Sequence, residues 1–189
     1  AKNHLILGWL YFGAAWPSLF VINGIIGYMI TPGAWLQTGD FWDGFFNPTY
    51  WSSLWFRTGI CVMLAGLYGQ LVASGFTHGE FKARLSRLNT HWLLAGLVIL
   101  IPTGFWYWKS IPQEIRDTAL AAMPSVITHI CQTIWFAGAL LVLAVVVGYF
   151  LARRLNRGMA IVMMIGGLLF FGAFEWSRES IRKPYAIYG

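Results

Sequence analysis

The stretch Met159-Ala160-Ile161-Val162-Met163-Met164-Ile165-Gly166-Gly167-Leu168-Leu169-Phe170-Phe171-Gly172-Ala173-Phe174-Glu175-Trp176-Ser177-Arg178-Glu179-Ser180-Ile181-Arg182-Lys183-Pro184-Tyr185 decides the fold. Its first part is apolar on every side, as a helix bathed in lipid must be. Its second part holds Glu175, Arg178, Glu179, Arg182 and Lys183, two of them carboxylates at the very end of the apolar run. Ionisable groups at such a depth are costly, and they are usually paired or functional.

The rest of the chain has the same character. Of 189 residues, 58% are hydrophobic and only 11% are charged. A soluble domain of this length is not built that way. The expected fold class is all-α, an integral membrane bundle of five transmembrane helices in a single domain. The net charge of +6 sits in short connections, where basic residues set membrane topology. It therefore does not point to nucleic acid. No Gly-rich phosphate loop is present. Cys61 and Cys131 lie inside apolar runs, away from any Cys-x-x-Cys-His sequence. There is thus no covalent c-type haem site in this chain, and both cysteines read as small buried core residues.

Apolar segments of spanning length run roughly over 5–30, 49–73, 89–108, 121–151 and 159–176. The 31–48 connection is rich in turn residues, and Trp35, Trp42, Tyr50, Trp51 and Trp55 suit an interfacial belt. Lys2, Lys82, Arg84, Arg87, Arg153, Arg154 and Arg157 fall on one side of the membrane. Lys109, Arg116, Arg178, Arg182 and Lys183 fall on the other. The positive-inside rule then predicts a cytoplasmic N-terminus and a C-terminus outside. Counting depth from the helix ends brings Arg57, His129, Glu175, Arg178 and Glu179 into one outer-leaflet layer. His129 lies ~12 Å down its helix at 1.5 Å per residue. His4 and His91 belong to the inner layer.

Neutral imidazole inside a helix bundle suits b-type haem. His129 has three readings: a core histidine satisfied by a backbone carbonyl or by Thr or Gln, an axial haem ligand, or a quinol contact. His4 and His91 lie at helix starts, where histidine is commonly interfacial, although the two could also pair at the inner layer. His78 reads as solvated in a basic loop. A guanidinium inside a span needs an anion or an acceptor. Arg57 therefore pairs with Glu175 or Glu179, or else meets a haem propionate or a quinol oxygen. The cluster of Arg178, Glu179, Arg182 and Lys183 reads as a snorkelling anchor or as part of the same site. Gly24, Gly27, Gly59, Gly66 and Gly69 read as places of close helix packing.

Four features give the chain a family likeness. Asn23-Gly24 is followed by a turn with Pro32. Asn47-Pro48 precedes Arg57-Thr58. Phe81-Lys82-Ala83-Arg84 forms a basic stretch. Glu179-Ser180-Ile181-Arg182-Lys183-Pro184-Tyr185 follows the last apolar segment. In this order and spacing the chain resembles the C-terminal half of subunit I of the cytochrome bd-type quinol oxidases. The resemblance implies quinol-linked electron transfer in a bacterial or archaeal cytoplasmic membrane.

The departures are as informative. Arg57 stands where the family has a haem-ligating histidine, and His129 falls on or near the family's methionine ligand. Gly172 stands at the family's glutamate ligand, with Glu175 nearly one turn away. The 110–124 connection is too short to be the family's quinol loop. The resemblance thus implies half of a split subunit that works with partner chains supplying helices and haem ligands. A single b-type haem or a quinol would lie at Arg57, His129 and Glu175, with a c-type cytochrome receiving electrons on the outer face. Oxygen reduction by this chain alone is not expected. The competing expectation is a haem-free membrane anchor that docks a cytochrome c or another redox subunit. A transporter is a third, weaker reading, because few helices are broken by Gly or Pro at mid-membrane.

Overall fold

The computed structural model describes residues 2–77 and 79–182. The described residues are all-helical, and five helices are long and apolar enough to cross a membrane. α1 spans Lys2–Tyr28, α4 Tyr50–Ser74, α5 Gly79–Ser110 and α8 Arg157–Arg182. α7 covers Ser125–Val145 and continues as a π-helical turn, Val146–Phe150. Three short helices join them: α2 (Trp35–Thr38), α3 (Phe41–Phe45) and α6 (Gln113–Ala122). The 31–48 and 110–124 connections are therefore partly helical. The basic stretch from Lys82 to Arg87 also lies within α5, which begins about ten residues before the apolar segment does. Lys, Arg, Glu and Leu are good helix formers, so nothing stops the helix at the membrane surface. His78, Lys183, Pro184 and Tyr185 lie outside the described residues.

Contacts divide the chain into two compact units. The first holds residues up to Trp55, with Thr103–Pro112. Its core is Phe45, Tyr50 and Leu54, packed against Trp16, Leu19 and Phe20 of α1. Asn23 is fully buried on α1. Its Nδ2 donates to the Tyr50 carbonyl at 2.9 Å, and its Oδ1 accepts from Ser53 Oγ at 2.7 Å. Gly24 leaves room for the Phe45 ring, where an added Cβ would lie 2.6 Å away. Gly27 makes the same room for the Asn47 carboxamide.

Asn47 is the hub of the turn between α3 and α4. Its Nδ2 donates to the carbonyls of Gly44 (3.2 Å) and Phe45 (3.3 Å), and its Oδ1 accepts from Thr49 N and Thr49 Oγ1. Asn47→Ala leaves these buried groups unpaired. The expected loss is about 2–3 kcal/mol of stability, at about 1–3 kcal/mol for each orphaned group with partial rescue by relaxation. Thermal unfolding in detergent measures it, and a midpoint equal to wild type would refute the hub role. The first half of α1 touches little else, and Trp9 and Tyr11 are 72% and 76% exposed. That surface suits lipid.

The second unit holds Phe56–Pro102 and the chain from Gln113 onward. Met63, Leu67, Leu93, Leu140 and Met163 are its fully buried centre. α4 and α5 approach at Gly66 and Gly96. A Cβ at Gly66 would lie 2.5 Å from the Leu93 amide nitrogen, and one at Gly96 would lie 2.5 Å from that of Met63. Small residues at a membrane crossing let the backbones meet. Beside this crossing Gln70 is fully buried. It donates to the Ser86 carbonyl (2.9 Å) and Thr90 Oγ1 (2.7 Å), and it accepts from Ser86 Oγ (2.9 Å). Gly148, in the π-turn, packs directly on the Thr90 side chain. Cys61 and Cys131 are exposed rather than buried. An apolar setting inside a span faces lipid as readily as the core, so it did not say which way either cysteine turns.

Candidate functional site

α7 and α8 enclose a groove in the second unit. α7 contributes His129, Gln132 and Phe136; α8 contributes Leu168, Leu169, Gly172, Ala173 and Trp176. The groove holds about 340 Å³. His129 is in the second turn of α7 and is half-buried, at the groove surface rather than in the core. Its Nδ1 lies 3.1 Å from Gln132 Oε1. A carboxamide oxygen accepts, so this contact suits the tautomer with its proton on Nδ1, which would leave Nε2 as the acceptor of the neutral ring. The His129 ring lies 5.8 Å from that of Trp176. One partner foreseen for this histidine, a Gln side chain, is thus present, one helical turn along.

The ring contacts also fix a common level. Phe56 of α4 lies 4.2 Å from Phe174 of α8, centroid to centroid. Arg57 and Glu175 follow these two residues directly, and His129 meets Trp176. The three positions therefore lie at one end of the second unit. Arg57 is half-buried there. The carboxylates take guanidinium partners from their own helix. Glu175 Oε2 accepts from Arg178 Nε (2.9 Å) and Nη2 (2.6 Å). Glu179 accepts from Arg182 Nη2 at 2.9 to 3.0 Å. Each pair spans three residues, the spacing at which helical neighbours meet. Both pairs are partly exposed, so each contributes little stability.

The two remaining described histidines lie elsewhere. His4 is exposed in the first turn of α1, in the first unit. His91 is exposed on α5, with its ring 5.8 Å from Tyr149. Among the described residues no three His, Cys, Asp or Glu side chains converge as a metal-binding group. The first unit has its own cleft of about 250 Å³, lined by Tyr28, Trp35, Phe41 and Phe45 with Gly24, Ile25 and Gly44. It offers aromatic surface and one phenol.

One feature of the site went unread in the sequence: at Gly172 a Cβ would meet nothing within 4 Å, so that it opens the α8 wall. Comparison with protein-family models, with curated proteins and with solved structures found no match to this chain.

Proposed function

We propose that this chain is a membrane subunit of a respiratory electron-transfer complex related to subunit I of the cytochrome bd-type quinol oxidases. In this reading it takes part in quinol-linked electron transfer in a bacterial or archaeal cytoplasmic membrane, and it works with a partner chain. One observation carries the reading. An imidazole stands at the edge of an apolar groove with Nδ1 3.1 Å from Gln132 Oε1, the arrangement in which a neutral ring with its proton on Nδ1 would offer Nε2 as a ligand.

The groove fits one side of a b-type haem. Ligating histidines characteristically donate their other ring N–H to an oxygen, and Gln132 Oε1 supplies that oxygen. Phe136, Leu168 and Leu169 offer apolar walls, and Gly172 and Ala173 keep the α8 side open. Its volume lies near the lower end of the ~300–1,000 Å³ range of small-molecule sites. A tetrapyrrole would therefore be only partly enclosed by this chain. That agrees with a partner chain supplying the remaining walls and the second axial ligand. A bound haem would supply one-electron transfer between quinol and an acceptor such as a c-type cytochrome. This chain's part would be to hold the imidazole in one tautomer, to exclude water with its apolar walls, and to offer Arg57 to an anionic group at the same level. A quinol would use the same nitrogen, with Nε2 accepting from its hydroxyl.

A haem-free anchor is the second reading, and one observation favours it. Glu175 and Glu179 are already neutralised by Arg178 and Arg182 within α8. A reduced-minus-oxidised spectrum and a pyridine haemochrome, on the chain alone and on the complex purified through it, separate the two. A b-type band supports the first reading. No b-type absorption in either sample leaves the anchor.

A further inference from the structure

We propose that the second unit carries a binding slot for the head group of an anionic phospholipid, built on α5 and on the segment that follows α7. Glu80, Arg84, Arg87 and His91 recur at intervals of four, three and four residues, so they share one face of α5. The stripe is about 16 Å long at 1.5 Å per residue, and it is clasped at both ends. Glu80 forms an ion pair with Arg153, and His91 packs its ring against Tyr149. A third tie lies beside the first, where Lys82 Nζ donates to the Leu155 carbonyl at 3.1 Å. These ties hold the segment after α7 alongside the start of α5.

Between the clasps Arg84 and Arg87 are exposed, and just past Arg153 so are Arg154 and, at the start of α8, Arg157. Among the described residues no carboxylate pairs with these four guanidinium groups. Glu80, the acid nearest to them in the stripe, is taken by Arg153. Four exposed cations without a carboxylate partner, on elements tied to one another, make this end of the unit a basic surface that draws anions. The guanidinium fork matches phosphate oxygens in pairs. Next to the His91–Tyr149 contact the surface is apolar: Trp92 follows His91 and is 52% exposed, and Phe150 follows Tyr149 and is 79% exposed. The ligand that satisfies both surfaces has a phosphodiester head and hydrocarbon tails. Basic clusters at the ends of membrane helices recruit anionic lipid on the same grounds. The inference stands apart from the reading of His129.

Native mass spectrometry of the full chain, released from detergent with added phosphatidylglycerol or phosphatidylcholine, tests it. Phosphatidylglycerol is expected to be retained and phosphatidylcholine to be lost. The double variant Arg84→Gln/Arg87→Gln should weaken phosphatidylglycerol retention roughly 30-fold, at about fivefold for each basic side chain at an anionic membrane surface. Both side chains are exposed, so helix content by circular dichroism should not change. Should it fall, Arg154→Gln on the adjoining segment supplies the same readout. Equal retention of the two lipids, or retention unmoved by these variants, overturns the proposal. A thermal melt separates the two sources of phosphate. Phosphatidylglycerol should raise the midpoint, and glycerophosphoglycerol, the same head group without tails, should not. An equal rise with the tail-free compound makes this a site for a soluble phosphate and overturns the lipid assignment.

Discussion

His129→Ala is expected to abolish b-type absorption in the complex purified through this chain. His129 is the one imidazole on the groove, and the other lining side chains are a carboxamide, aliphatic groups and two aromatics. None of them replaces a nitrogen ligand to iron. The substitution should spare the fold, because the side chain is half-buried and its hydrogen bond goes to Gln132 on the same helix. Gln132→Leu is the graded partner experiment. It keeps the imidazole but removes the oxygen that faces Nδ1. Loss of such a supporting group typically costs about 10–100-fold in affinity for the metal. The expected order of band intensity at limiting haem is therefore wild type, then Gln132→Leu, then His129→Ala with none. A merely structural role for Gln132 would leave the spectrum of its variant unchanged. An undiminished band in His129→Ala would move the ligand to His4 or His91.

Gly66→Val should produce the largest fall in stability. A Cβ there would lie 2.5 Å from the Leu93 amide nitrogen and 2.6 Å from the Asn89 carbonyl oxygen. Both obstacles are backbone, which cannot rotate aside as a side chain can. α4 and α5 would have to separate. Separation would loosen Met63, Leu67 and Leu93, all fully buried, and would stretch the bonds from Gln70 to Ser86 and Thr90. Overpacking alone costs about 1–3 kcal/mol, and here the loss should lie at or above the upper end. Gly8→Val is the control. A Cβ at Gly8 meets nothing within 4 Å, so the change should stay within about 0.5 kcal/mol. Equal melting points for the two variants would show that the α4–α5 crossing does not depend on Gly66.

The five spans were legible because membrane length and hydropathy leave a chain few alternatives. The glycine contacts were legible too: Gly24, Gly27, Gly59, Gly66 and Gly69 all face a close neighbour. Boundaries were less so. The charged start of α5 read as a loop because charge was taken to mark the edge of structure, when it marked only the edge of the lipid. α6 stayed hidden because its ten residues mix Glu114, Arg116 and Asp117 with Ile115 and Ala119, a surface pattern with no spanning signal. The common level of Arg57, His129 and Glu175 followed from counting residues down each helix. The partners of the charges needed only local spacing, since Glu175–Arg178 and Glu179–Arg182 are helical neighbours. The orientation of His129 went unread although Thr128, Gln132 and Thr133 share its side of α7, because a short polar stripe does not say whether it turns to a groove, to a neighbouring helix or to a partner.

The π-turn at the end of α7 closes with the Leu151 amide donating to the Val146 carbonyl at 2.9 Å, five residues back. Such a turn takes in one residue more than an α-helical turn and so absorbs it locally. Beyond it the chain is held by Arg153 on Glu80 and by the Leu155 carbonyl on Lys82 Nζ. A length comparison would score the surplus residue as a shift of everything after it, whereas the widened turn confines its effect to Val146–Phe150.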